Sequence, residues 1–208
     1  GGRGALRPAW GPDDRIAVVA NHTDRPDDNY VRDIYPIAPD GADRTRVTDS
    51  ELSAGSPTWS PVGRLAFTGR QPDNLYVPFD LFVTDESGYR PVSSGLDRTL
   101  RGPAWVSETE LLAPISDEGW TRLARFDTET GPERTFKQQD RDESVGVFDH
   151  AGGTVAVEFS TAGGSDLHAV DTGDLDGGPE SPRTRLTTLN TSFHETHPAP
   201  TTHRLQFT

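Results

Sequence analysis

Apolar residues in this chain fall in short alternating runs broken by turns, and the runs return on one plan. Pro8 to Ala20 reads PAWGPDDRIAVVA, an apolar stretch ending at Trp10, a polar turn, and a second apolar stretch. Pro57 to Gly69 (PTWSPVGRLAFTG) and Pro103 to Ile115 (PAWVSETELLAPI) repeat it, and Val145 to Ser160 (VGVFDHAGGTVAVEFS) is a degenerate copy. Such runs, bounded by Gly, Pro, Asp and Ser, fit strands, because successive side chains of a strand point to opposite faces. The spacing is 49 residues from Trp10 to Trp59, 46 from there to Trp105, and 43 more to Phe148. A strand-only unit that repeats at about 40–50 residues is the sequence pattern of propeller blades.

Each unit predicts four strands. The first ends one strand at Ala9-Trp10 and continues with Arg15 to Ala20, Asp33 to Ala38 and Thr45 to Thr48. The second has Thr58-Trp59, Arg64 to Thr68, Asp80 to Thr84 and Tyr89 to Ser93. The third has Pro103 to Val106, Glu110 to Ile115, Thr121 to Asp127 and Glu133 to Phe136. The fourth has Ser144 to Asp149, Thr154 to Phe159, Leu167 to Val170 and Thr184 to Thr188. The expected fold is all-β: a β-propeller of four-stranded antiparallel blades, about four of them, over residues 1–52, 53–99, 100–142 and 143–190. The chain opens on the end of an innermost strand, and neither end offers a clear closing strand. These blades are therefore expected to belong to a larger propeller of about six to eight. No segment reads as a helix, since the 17 Pro and 21 Gly fall mainly between apolar runs. Trp10, Trp59, Trp105 and Phe148 recur at one blade position. They are expected to pack between blades, where a large flat ring covers a face that one blade cannot bury alone; ligand stacking is the alternative for the Trp residues.

Composition adds constraints. The formal net charge is −13, and Lys137 is the single lysine among 20 basic residues. Leu, Ile, Val and Phe make up about a fifth of the chain, which at this charge borders on disorder. The regular alternation decides for a folded sheet. An acidic, lysine-poor surface fits a halophile, because carboxylates keep their water when salt competes for it and salt screens their repulsion; an ordinary acidic protein is the alternative. Nucleic acid is excluded as a partner, since no basic stripe exists to displace counterions. The absence of Cys and Met excludes disulfides, thiolate metal sites and a cysteine nucleophile. No apolar run approaches membrane-spanning length and no charged start followed by an apolar core reads as a leader. No membrane partner and a cytoplasmic location are expected.

PTWSPVGRLAF, DLFVT and TRLTTLN resemble the P-x-W-S-P-x-G, I-A-F, D-L-Y and R-L-T elements of propeller repeats shared by TolB and the prolyl oligopeptidase family of serine peptidases. Ser160 to Asp171 (STAGGSDLHAVD) with Arg183 to Asn190 (RTRLTTLN) resembles the last propeller blade of acylaminoacyl-peptidase-like enzymes. Leu186-Thr187-Thr188-Leu189-Asn190 is similar to the segment that leaves the propeller there. Residues 191–208 then correspond to a linker and, at Arg204-Leu205-Gln206-Phe207-Thr208, to the first strand toward an α/β-hydrolase domain absent from this chain. The resemblance implies a non-catalytic propeller portion of a serine peptidase that acts on short or N-acylated peptides and gates access to that domain. Its partners would be the hydrolase domain and the peptide substrate, with no cofactor. The family's G-x-S-x-G nucleophile turn does not occur. Gly163-Gly164-Ser165-Asp166-Leu167 ends on the wrong residue, so no catalytic residue is carried over. The same repeats equally allow a non-enzymatic, TolB-like interaction propeller.

Arg98 and Arg101, between the second and third units, are the candidates for contact with substrate or a neighbouring domain, because a guanidinium grips a carboxylate with two parallel donors. The acidic residues expected on the same face, such as Asp24, Asp73, Asp49, Asp140 and Glu143, read as a docking face or as solvated surface. His194, Glu195, His197 and His203 group like metal ligands. The His spacing is three rather than the four of zinc-binding helices, and Pro198 and Pro200 argue against a helix; an exposed linker is expected. Asp171, Asp174 and Asp176 lack the Gly and Glu of a calcium loop and read as an acidic turn. No metal site is expected.

Overall fold

The computed structural model describes residues 8–135, 143–176, 182–189 and 191–200. Phe136, Lys137, Asp140, Asn190, His203 and the tail strand Arg204–Thr208 lie outside the described residues, as do residues 1–7. The chain divides into two compact units, one of Gly1–Ser116 with Leu123–Thr135, the other of Asp117–Arg122 with Phe136–Thr208.

In the first unit, β1 (Ala9–Trp10), β2 (Ile16–Ala20) and β3 (Asp33–Ile37) form an antiparallel meander. A second meander is β4 (Gly55–Trp59), β5 (Leu65–Gly69), β6 (Asp80–Asp85) and β7 (Gly88–Pro91). The third is β8 (Ala104–Trp105), β9 (Glu110–Asp117), β10 (Trp120–Asp127) and β11 (Gly131–Thr135). In the second unit, β12 (Ser144–Ala151), β13 (Thr154–Thr161), β14 (Gly164–Asp171) and β15 (Thr184–Arg185) form a fourth. These are the strand-turn-strand units that the repeats predict.

The apolar alternation has a direct structural use. Ala17, Val19 and Ile34 of the first sheet pack with Leu65 and Phe67 of the second. Leu81 and Val83 of the second pack with Leu111, Ala113 and Phe126 of the third. The core of this unit thus lies between successive sheets, and each sheet needs its neighbour to bury its apolar face. The Trp residues bridge the same gaps. The Trp59 indole N–H donates to the Ala9 carbonyl at 3.1 Å, and that of Trp105 to the Thr58 carbonyl at 3.3 Å. The Trp59 ring lies so close to Gly11 that a Cβ there would sit 2.6 Å from it. Trp105 is 8% exposed, whereas Trp10, with no preceding sheet among the described residues, is 65% exposed. Phe148 is half-buried and pairs with Val157.

A second repeating device ties the third strand to the segment after it in three of the four sheets, the third sheet excepted. Buried Asp33 accepts hydrogen bonds from Thr48 Oγ1 (2.5 Å) and Ser50 Oγ (2.7 Å), while Thr48 Oγ1 accepts from the Ile34 N–H. Asp80 accepts from Ser93 Oγ, which accepts from the Leu81 N–H. Asp166 accepts from Thr187 Oγ1, which accepts from the Leu167 N–H. The Asp-apolar pair at the third strand is matched each time by a Ser or Thr further along the chain. Such a clip satisfies polar groups that the sheet would otherwise bury unpaired.

Two expectations are corrected. Thr45 to Thr48 is not a strand. The Thr45 and Val47 N–H groups donate to Pro36 and Ile34 carbonyls at 3.3 and 2.9 Å, but Pro36 has no N–H to return a bond, so the ladder does not close. A short helix, α1 (Thr191–Thr196), occupies part of the expected linker. Its closing bond runs from the His197 N–H to the Phe193 carbonyl at 2.8 Å. Pro198 and Pro200 come after the helix, where proline ends it without disrupting its interior. Single 3-10 turns occur at Pro12–Asp14 and Thr172–Asp176; the latter replaces the simple acidic turn expected there.

Candidate functional site

Residues of the first two sheets and of the segments that lead into β4, β6 and β8, all within the first unit, surround a cavity of about 450 Å³. Val19, Ala54, Phe79 and Leu100 give it an apolar wall, and Ser56, Thr68 and Thr99 bring hydroxyl groups. Arg32 and Arg101, both exposed, also line it.

Both arginines stand on firmly held backbone. Arg32 bridges Ser53; its N–H donates to Leu52 O at 3.1 Å and its carbonyl accepts from Ala54 N–H at 3.0 Å. The Arg101 N–H donates to Pro114 O at 3.0 Å, and adjoining Leu100 bridges Ile115 and donates to Phe79 O at 3.1 Å. The opposite wall is irregular by construction. The β4–β5 register slips between Gly55 and Thr58, and Ser56 there has φ +49°. A left-handed non-glycine residue costs on the order of 1–3 kcal/mol, and bulges re-aim side chains beside functional sites. An acidic chain has here set two cations against a largely apolar wall, an arrangement that suits a small ligand with one negative end.

Sequence reasoning found Arg101 but not Arg32, which sits in a long polar loop and meets Arg101 only through folding. Arg98 does not line the cavity: it is half-buried and donates to the Asp97 carbonyl at 2.6 Å.

The expected acidic surface divides. Asp49 accepts the Tyr89 hydroxyl at 2.6 Å. That bond holds the Asp49 carboxyl below its ordinary range, while burial and then the same bond raise the Tyr89 phenol. Glu143 is not solvated surface but buried, and both its oxygens accept from Arg183, at 2.8 and 3.1 Å. The Arg183 guanidinium lies 4.6 Å from the Phe159 ring centroid, Arg122 donates to the Glu143 carbonyl at 3.0 Å, and His168 meets the Phe159 edge at 5.4 Å. Burial, and then the Arg183 charge, push the His168 imidazole below its usual pKa. This cluster braces the fourth sheet from the start of β12 to the start of β15.

The histidines of the expected linker are locally engaged. The His197 ring stacks on Phe193 at 4.4 Å, with its Nδ1 2.9 Å from Thr196 Oγ1, and His194 meets the Phe193 edge. Among the described residues no group of three His, Cys, Asp or Glu side chains is placed to hold a metal. Among them, too, no helix is long and apolar enough to cross a membrane.

Ahead of α1, the Asp166 carboxylate gathers the Leu186–Leu189 segment. It accepts from Thr187 Oγ1 and Leu189 N–H, each at 2.8 Å, and pairs with Arg185. Burial works against ionisation of Asp166, but these donors outweigh it and lower its pKa.

No family model and no curated protein matches this sequence. Solved structures do. A puromycin-hydrolyzing peptidase of Mycobacterium tuberculosis is 19% identical with a TM-score of 0.68, over 89% of this chain and 31% of that one. An acylaminoacyl peptidase of Pyrococcus horikoshii is 19% identical at 0.65, over 88% and 27%. TolB from Acinetobacter baumannii is 19% identical at 0.59, over 88% and 43%. This chain thus spans less than half of each of these proteins. At such identity the likeness speaks for the fold: the chain is a β-propeller of about four blades, of the kind carried by prolyl oligopeptidase and acylaminoacyl peptidase enzymes and by TolB.

Proposed function

We propose that this chain is the non-catalytic propeller portion of a serine peptidase acting on short or N-acylated peptides, and that it controls which substrates reach a separate α/β-hydrolase domain. The observation that carries this reading is the segment after β14. Asp166 pins its backbone, yet Leu186, Leu189 and Phe193 are each more than half exposed. Large apolar side chains held outward on so acidic a protein suit a surface that another domain covers. Acyl transfer to serine and then to water would belong to that domain. The propeller's part is steric, admitting short chains and excluding folded ones, and this chain alone is inactive as a hydrolase. We assign it to the cytoplasm.

The likeness to TolB, at the same 19% identity and a TM-score of 0.59, supports a second reading, a non-enzymatic interaction scaffold. The coding sequence beyond Thr208 separates the two. A G-x-S-x-G turn followed by Asp and His, with hydrolysis of N-acylated short peptides that is lost when that Ser is replaced by Ala, supports the peptidase. A stop codon shortly after Thr208 sinks it.

A further inference from the structure

We propose that the cavity of the first unit is a carboxylate-binding site whose ligand is the free C-terminal residue of a short peptide with an apolar side chain. The site lies within this chain, so its occupancy needs no hydrolase domain and goes beyond the peptidase reading.

Most arginines of this chain are already committed. Arg25, Arg64, Arg90, Arg183 and Arg185 pair with carboxylates. So do Arg46 and Arg125. Arg15 and Arg70 donate to backbone carbonyls, and Arg44 lies over Tyr35. Arg98 and Arg122 also donate to carbonyls. Among the described side chains, Arg32 and Arg101 are left without a hydrogen bond, ion pair or ring contact, and both line the same cavity. In a chain with 33 acidic residues against 20 basic ones, two guanidiniums that line one cavity without a carboxylate partner are open to an anion from outside.

The cavity wall narrows the choice of anion. Val19, Phe79 and Leu100 line it beside the two charges, and of these the half-buried Phe79 has the most open surface. A bare inorganic anion has no use for it; a C-terminal residue places its carboxylate on the arginines and its side chain against the wall. Ser56 and Thr99 remain for the preceding peptide group, while the Thr68 hydroxyl already donates to the Gly55 carbonyl at 3.2 Å. The volume, about 450 Å³, falls in the range of small-ligand sites, about 300–1,000 Å³. The backbone bonds at Arg32 and Arg101 fix where the two side chains start, and the ligand carboxylate is what orders the guanidiniums.

The test is calorimetric titration of the 208-residue chain with N-acetyl-glycyl-leucine and with its C-terminal amide. The free acid is expected to saturate a single site and the amide to bind at least about tenfold more weakly, the loss for a hydrogen-bonded charge. Arg32→Gln and Arg101→Gln should each weaken the acid several-fold without changing the amide, and Arg25→Gln, elsewhere on the surface, should change neither. Equal binding of acid and amide, no binding of either at millimolar ligand, or full acid affinity in the Arg32→Gln/Arg101→Gln double variant overturns the proposal. The wild-type comparison of acid and amide stands even if a variant misfolds. A stop codon after Thr208 would end the peptidase reading and leave this result untouched.

Discussion

Trp105 and Trp10 hold the same place in the repeat and should behave as opposites. Trp105→Ala removes an indole that is 8% exposed, its N–H bond to the Thr58 carbonyl at 3.3 Å, and its contact with the Arg64 guanidinium 5.6 Å from the ring centroid. Truncating a buried Trp costs about 3–5 kcal/mol. Within that, the hydrogen bond contributes about 1 kcal/mol and the cation–π contact about 0.5–1 kcal/mol. Trp10→Ala removes a ring already 65% exposed and should cost under about 1 kcal/mol. Urea unfolding, followed by far-UV circular dichroism because the substitutions remove fluorophores, reads the difference. With a slope of about 1–3 kcal/mol/M, Trp105→Ala lowers the midpoint by about 1 M or more. Trp10→Ala leaves it nearly in place, and Trp105→Phe, which keeps an aromatic ring but not the donor, falls between. Equal shifts for Trp105→Ala and Trp10→Ala would refute the idea that these residues act through the sheet before them.

Glu143→Gln leaves the Arg183 guanidinium without its buried carboxylate and should cost about 3–5 kcal/mol, seen as faster hydrogen exchange in β12–β15. Asp166→Asn should release the Leu186–Leu189 segment, so that limited proteolysis cuts there while the strands of the first unit stay protected. His168 has a pKa depressed below its ordinary value of 6.5. The unfolded chain therefore binds the proton more readily, and stability is full above about pH 6.5 and falls as pH drops through the window below it; His168→Gln should flatten that slope. If the acidic surface is a halophilic adaptation, far-UV dichroism should show structure lost on cooling in low salt and restored in molar KCl.

The architecture was legible because its causes are local and repeated. A Trp at a fixed position, a Gly or Pro turn and an alternating run are each visible in one copy, and their return at near-constant spacing removes the ambiguity of any single one. The pairing of Asp33 with Thr48, Asp80 with Ser93 and Asp166 with Thr187 was visible as motif letters, although not as a bond. The features that stayed hidden depend on a neighbour or on a subtraction. The first sheet lacks a fourth strand because Pro36, on another strand, withholds one N–H. Helix α1 has six residues, too few to show a helical period. Arg32 is one cation in a polar loop until folding sets it and Arg101 in one cavity, and Glu143 looks like solvated surface until Arg183, 40 positions away, closes over it.

The bonds from the Trp59 and Trp105 indoles to the carbonyl before the preceding Trp are directional, since donor and acceptor come from different residues of one motif. A sheet copied by gene duplication would carry both halves with it, so an added blade would dock without any new interface having to evolve. The joint is head-to-tail and cannot pair with itself, which favours growth by tandem addition over two-fold association. Replacing the indole by Phe, as at Phe148, withdraws the donor and marks where such an array can drift away from its consensus.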